Sequence, residues 1–375
     1  MIIARTIRNS GPATKFIRRM GTKGESPETV ILEEVGNAGV ITLDRQKALN
    51  AINLEMIKKI YPALKKFEQS KDLVIIKGAG EKAFCAGGDV HAISYGDLEA
   101  AKAFFWTEYT TNATIKAFRK PYVALIDGIT MGGGVGVSVH GKYRVATERT
   151  LFAMPETAIG LFPDVGGGYF LPRLRGKLGM YLGLTGFRLK GRDVMKSGVA
   201  THYCESAKLP ELEAALTKCS TDQDVAATLE KFCPKDNSEF ILQKHLAQID
   251  ECFSGSTVEE ILERLKKDNS EWAQKTLQTL AKMSPTSMKI SKKQLDLGAN
   301  MTLPEDLVME YRLAVRHAEG SDLKEGVRAL LVDKDNKPKW NPATLEEVSD
   351  ELVDSFFKPL PDDLKLPTDV LQAKL

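Results

Sequence analysis

The chain has 375 residues, 43% of them hydrophobic, with 52 Lys and Arg against 50 Asp and Glu. This is the composition of a folded chain with room for a large core and an appended subdomain. No apolar run approaches the roughly 18 residues that a membrane-spanning helix needs, which excludes stable membrane insertion through helices, and the formal charge of +2 is too small to mark a nucleic-acid-binding surface.

That charge is unevenly spread. Residues 1–24 carry Arg5, Arg8, Lys15, Arg18, Arg19 and Lys23 and no acid, so the rest of the chain holds 46 basic residues against 50 acidic ones. A basic, acid-free, hydroxyl-containing start is expected to be a mitochondrial transit peptide, with the matrix as destination. The cysteines Cys85, Cys204, Cys219, Cys233 and Cys252 are odd in number and form no C-x-x-C pair. They are expected to be reduced structural thiols, and no metal site is predicted. Cys85 has no recognisable histidine base, which argues against a nucleophilic role.

Residues 29–43 alternate around Gly36-Asn37-Ala38-Gly39 and predict a β-hairpin. Residues 53–69 have helical periodicity with Asn53 as N-cap. Residues 73–77 predict a short buried strand closed by Gly78-Ala79-Gly80, residues 98–118 a helix, and residues 122–126 another strand closed by Asp127-Gly128. Strand, turn and helix therefore repeat, an α/β pattern. Beyond about residue 208 the strand signals fade. Ser256-x-x-Glu259 predicts a capping box, Pro304 the start of a helix running to residue 319, and Ser321 the cap of a third. The chain divides into a leader (1–24), an α/β core (25–207) and a helical region (208–375).

Two glycine clusters stand out within the core. Ala86-Gly87-Gly88-Asp89 follows Lys82-Ala83-Phe84-Cys85, and Met131-Gly132-Gly133-Gly134 lies about 45 residues later, each after an apolar strand-like run. Glycines at a strand-to-helix junction let backbone N–H groups approach a ligand closely. A converging pair of such donors makes an oxyanion hole. Downstream, Met154-Pro155-Glu156 and Phe162-Pro163-Asp164 supply two carboxylates. A nucleophile elbow is nearly offered by Gly136-Val137-Ser138-Val139 but ends on His140, and no G-x-G-x-x-G opens a helix.

This ordered set resembles the crotonase (enoyl-CoA hydratase/isomerase) superfamily, densely over residues 30–202 and more sparsely through Met283-Ser284-Pro285 and Glu325-Gly326-Val327. The resemblance implies a ββα spiral core, a helical C-terminal region covering the site, possible homo-oligomers, an acyl-CoA substrate, and no cofactor apart from the CoA that the substrate carries. It also implies roles. Gly88 and Gly133 supply the oxyanion donors, each worth roughly 3–4 kcal/mol. Glu156 is the catalytic carboxylate, as nucleophile through a transient anhydride or as base toward water. Asp164 and Glu108 contact the acyl end, and Lys47, Ala48, Leu49 and Ala86 line the path of CoA.

One departure distinguishes reactions within the superfamily. Hydratases use two glutamates around one water, and the first of them would fall at Gly136. Concerted hydration then lacks a proton-transfer partner typically worth 10²- to 10⁴-fold. Thioester hydrolysis tolerates the loss, because a thiol with a pKa of roughly 8.5 leaves without strong acid help. The reaction that the resemblance implies is hydrolysis of 3-hydroxyisobutyryl-CoA in valine breakdown, with 3-hydroxypropionyl-CoA as a further candidate substrate. A hydratase or isomerase of the same fold, and a silent CoA-binding protein, are the competing expectations.

Overall fold

The computed structural model describes residues 28–372 apart from Lys235; the expected leader lies outside them. Among the described residues, ten strands form two sheets. The larger contains β1 (Val30–Val35), β2 (Ala38–Leu43), β3 (Leu73–Gly78), β5 (Tyr122–Ile126), β7 (Tyr143–Ala146) and β10 (His202–Tyr203), hydrogen-bonded in that order. The smaller contains β4 (Ala83–Cys85), β6 (Ile129–Met131), β8 (Leu151–Ala153) and β9 (Leu189–Lys190).

The chain alternates between them. Each of the pairs β3-β4, β5-β6 and β7-β8 gives its first strand to the large sheet and its second to the small one, and helices follow, so the ββα spiral expected from the resemblance is observed. Only β1 with β2 and β8 with β9 are antiparallel. The predicted hairpin is the β1-β2 pair, closed at Gly36 and Asn37.

The large sheet is covered on both faces, which explains why its inner strands read as unbroken apolar runs. Period-two alternation assigns each residue its face. Val40, Leu73, Ile75, Val123 and Leu125 pack against Leu212, Leu216, Val225 and Leu229 of the helices Leu209–Leu216 and Asp222–Phe232. Ile41, Val74, Ile76, Ala124 and Ile126 belong to the main core, which includes α1 (Leu54–Ser70) and the small sheet.

Asn53 caps α1 as expected, its side chain accepting from the Met56 N–H at 2.9 Å. Met56, Ile57, Ile60, Ala63, Leu64 and Phe67 are buried at helical spacing. Two short-range expectations need correction. At residue 257 the N-cap is Thr257, which accepts from Glu260 N, while Ser256 donates its N–H and hydroxyl to Glu260; the predicted box is thus displaced by one residue, because Glu260 reaches back over a full turn. Ser321 precedes the helix Asp322–Val327, but its hydroxyl makes no capping bond. The helix Leu303–Glu319 starts as predicted, with a reciprocal box between Thr302 and Glu305.

Two elements matter most for the site. The helix α3 (Leu98–Ala117), which follows α2 (Val90–Tyr95), runs through the core with an almost wholly buried second half. The helix Leu303–Glu319 of the C-terminal region packs along it, with Trp106 and Tyr311 edge to face at 5.6 Å.

The packing of α1 sets an order of stability losses. Phe67→Ala removes a fully buried ring and is expected to cost about 3–5 kcal/mol, whereas Asn53→Ala removes one cap and costs about 1 kcal/mol. Urea unfolding of the two variants checks this; an equal or larger loss for Asn53→Ala would contradict the packing argument.

Candidate active site

Both glycine clusters emerge from strands of the small sheet. β4 delivers Ala86, Gly87 and Gly88, and β6 delivers Gly132 and Gly133, the latter opening α4 (Gly133–Val139). The approach between them is too close for side chains. A Cβ on Gly133 would lie 3.2 Å from Gly88 N and 2.5 Å from Glu108 Oε1, and one on Gly132 would lie 3.0 Å from Glu156 Oε1. Gly133 is the first residue of its helix, so its N–H has no acceptor within the helix. Among the described residues, neither the Gly88 nor the Gly133 N–H donates to a backbone carbonyl.

Three carboxylates complete the constellation. Glu108 is carried by α3, Glu156 opens a single turn (Glu156–Ile159), and Asp164 sits in the loop that follows. All three are at least 95% buried and line one cavity of about 310 Å³ together with Gly88 and Gly133. Tyr109 donates its hydroxyl to Asp164 Oδ2 at 2.9 Å. Glu108 Oε1 and Glu156 Oε2 are buried with no hydrogen-bond partner among the described residues. Such atoms await a ligand or water.

The electrostatics follow from this burial. Desolvation, reinforced by the Asp164 and Glu156 charges, pushes Glu108 well above the usual carboxylate range, and desolvation with the Asp164 charge does the same to Glu156. Burial raises Asp164 to about 7, with the Tyr109 hydroxyl pulling the other way. Three buried acids sharing one cavity titrate as a group. Among the described residues lining the cavity, Arg188 is the only cation, and Leu330 and Leu331 of the C-terminal region supply part of its apolar wall.

All the residues assigned to the chemistry therefore meet: Gly88, Gly133, Glu156, Asp164 and Glu108. Of the residues assigned to CoA, Ala86 lines the cavity. Lys47 is exposed, Ala48 and Leu49 are half-buried, and these three lie outside the lining, although the Leu49 carbonyl accepts from Ala86 N at 3.0 Å. Cys85 is fully buried, and burial raises its thiol to about 12, as befits a structural thiol.

Gly136 has a steric explanation. A Cβ there would lie 2.7 Å from the Val165 Cβ and 2.9 Å from Asn112 Nδ2, so the space a hydratase glutamate would enter is occupied. Sequence reasoning missed Tyr109, Arg188 and the leucine wall. Tyr109 adjoins Glu108 and is buried like the apolar helix residues around it, and no local signal marks the two distant segments.

Comparison with known proteins identifies the family. A family model described as enoyl-CoA hydratase/isomerase matches residues 38–357, and the chain belongs to that family. Curated relatives named "3-hydroxyisobutyryl-CoA hydrolase, mitochondrial" are 58% identical over 349 residues in Xenopus laevis (90% of each chain) and 57% over 353 residues in Danio rerio (90% of this chain, 91% of the relative). The Homo sapiens relative of the same name is 54% identical over 353 residues, covering 91% of this chain and 92% of its own. Among solved structures, a carnitinyl-CoA dehydratase from Mycobacterium thermoresistibile superposes with a TM-score of 0.85 at 37% identity, covering 91% of this chain and 99% of the other. An enoyl-CoA hydratase from Rhodobacter sphaeroides gives 0.82 at 36% identity, covering 90% and 100%.

The raised Asp164 links pH to stability. An unfolded aspartate titrates near 3.9, so the folded ligand-free protein holds this proton more tightly than the unfolded chain. The associated stability is complete below about pH 4 and is lost as pH rises through about 7. Asp164→Asn removes that loss and should raise the melting temperature relative to wild type more at pH 8 than at pH 5, the difference corresponding to a stability gain of about 3 kcal/mol at most. A difference between the proteins that does not vary with pH would contradict the assignment.

Proposed function

We propose that this chain hydrolyses the thioester of 3-hydroxyisobutyryl-CoA to 3-hydroxyisobutyrate and CoA, a step of valine catabolism. The observation that carries the reading is the meeting of two acceptor-free glycine amides with the Glu156 carboxylate in one cavity, while Gly136 leaves no room for a second hydratase glutamate. The sequence relatives bear the name of this activity over nearly their full length.

The carbonyl oxygen of the thioester sits between the Gly88 and Gly133 N–H groups. As the acyl carbon becomes tetrahedral, charge develops on that oxygen, and fixed donors in a desolvated site stabilise it without reorganising. Glu156 either attacks the acyl carbon or takes a proton from the water that does. The C–S bond then breaks and CoA leaves as a thiolate, needing little acid assistance. Water adds the oxygen that becomes part of the product carboxylate. The CoA belongs to the substrate, and the proposed reaction calls for no further cofactor. Ala86 marks the start of the CoA path, with residues 47–49 beside it.

Asp164 and Glu108 read the β-hydroxyl. Both are buried acids at the acyl end of the cavity, and a hydroxyl satisfies them where a methyl cannot. A site built to bond a hydroxyl rejects the analogue lacking it by up to about 10⁴- to 10⁵-fold. The relatives are named mitochondrial, and with the basic, acid-free start we assign this protein to the mitochondrial matrix.

Free-thiol release from purified protein tests the reaction. Wild type is expected to cleave 3-hydroxyisobutyryl-CoA far faster than isobutyryl-CoA, and Glu156→Gln to lower kcat by at least about 10³-fold while CoA still binds. No thiol release would favour a hydratase or a silent binding protein, and near-normal turnover by Glu156→Gln would end the proposed mechanism. For localisation, deletion of residues 1–24 should abolish accumulation in the matrix while leaving the purified enzyme active. Unchanged import of the truncated chain would refute the targeting role.

A further inference from the structure

Among the described residues Asp164 has a single side-chain partner, Tyr109, so its position is set chiefly by the backbone that carries it. That backbone is unusual. Val165, the next residue, has φ +55°, a left-handed conformation that a β-branched residue rarely adopts. Strain of this kind persists only where the surroundings over-determine it.

The surroundings here come from three separate elements. At the end of α4, His140 Nε2 donates to the Val165 carbonyl at 2.7 Å. From the helix Pro285–Gly298, Gln294 Nε2 donates to the Pro163 carbonyl at 2.9 Å and to Glu310 Oε1 at 2.8 Å. From the helix Leu303–Glu319, Glu310 accepts the Gly166 N–H at 2.7 Å and the Gly168 N–H at 3.0 Å, one on each carboxylate oxygen. Gln294 and Glu310 are fully buried. Glu310 thus spans both loop amides following the strained residue, and it does so from a helix nearly 150 residues away in sequence.

We propose that Glu310 is a positioning residue for the hydrolysis: by holding the Gly166 and Gly168 amides it locks Val165 in its left-handed conformation and so fixes the Asp164 carboxylate where it meets the substrate hydroxyl. The proposal rests on Asp164 reading that hydroxyl. Glu310 does not itself line the cavity, so its effect reaches substrate through the loop and through its charge beside Asp164. The helix Leu303–Glu319, which packs along α3, then connects the two walls that carry Glu108 and Asp164. Displacement of a site group by about 1 Å can cost roughly 10²-fold in rate.

Glu310→Gln keeps the shape but turns one acceptor into a donor facing an N–H or the Gln294 amide. In the full chain, folding being checked by its thermal transition, kcat/KM for 3-hydroxyisobutyryl-CoA should fall at least about 30-fold. For isobutyryl-CoA it should fall less than about 3-fold, and inhibition by free CoA should stay within about 2-fold of wild type. The preference for the hydroxylated thioester therefore narrows. Should Glu310→Gln fail to accumulate as folded protein, Gln294→Met removes one donor to the same carboxylate and to Pro163 at nearly constant volume, and should narrow the preference in the same direction. A folded variant that loses both activities equally, or keeps the full preference, would overturn the proposal while leaving the hydroxyl reading intact. A wild type without preference would overturn that reading, and the positioning role with it.

Discussion

The close contact of two glycine backbones is the constraint on which the remaining chemistry depends. A methyl group on Gly133 would clash at 2.5 Å with a carboxylate oxygen of Glu108 and press against the amide of Gly88. Because no side chain intervenes, two N–H groups from segments 45 residues apart can face one oxygen. The small sheet makes this contact possible: β4 and β6 are parallel neighbours, so the chain leaves both at the same edge. Donors held by strand pairing do not reorganise when charge appears, and this is what makes them effective.

Around that pair the protein gathers acids rather than cations. Glu108, Glu156 and Asp164 share a cavity in which burial raises all three and the Asp164 charge adds to the rise of the two glutamates, and among the described lining residues the one cation is Arg188. Such an arrangement is costly in the empty protein and is relieved when a polar substrate group enters, so part of the binding specificity is stored as unsatisfied polarity. The same crowding explains the missing hydratase glutamate. Val165 and Asn112 occupy the space above Gly136, and Val165 is there because the loop bearing Asp164 turns through a left-handed conformation. One loop therefore both supplies an acid for the acyl end and removes the room for hydration chemistry.

Much of this was legible from local pattern. The hairpin, α1 with its Asn53 cap, the strands β3 and β5, and the helix after Thr302 follow from periodicity and capping chemistry acting over a few residues. The capping box near residue 257 was displaced by one position because the Glu260 carboxylate reaches back to Ser256 while Thr257 accepts the Glu260 N–H, and only three-dimensional reach decides this arrangement. The glycine clusters and the carboxylates Glu108, Glu156 and Asp164 were recognisable as an ordered set, since a motif keeps its order along the chain whatever the fold does between its parts.

What the sequence by itself determined, then, was the identity of the reacting groups and the elements bearing them, because residue type, periodicity and motif order are properties of the chain. Only the tertiary structure decided their environment. Burial raised Asp164 to about 7, Tyr109 became its hydroxyl donor, and Glu310 reached the Asp164 loop from a helix that lies far along the chain. Desolvation and hydrogen bonding depend on which surfaces are brought together, and contacts between residues more than a hundred positions apart leave no periodic trace in the sequence that could announce them.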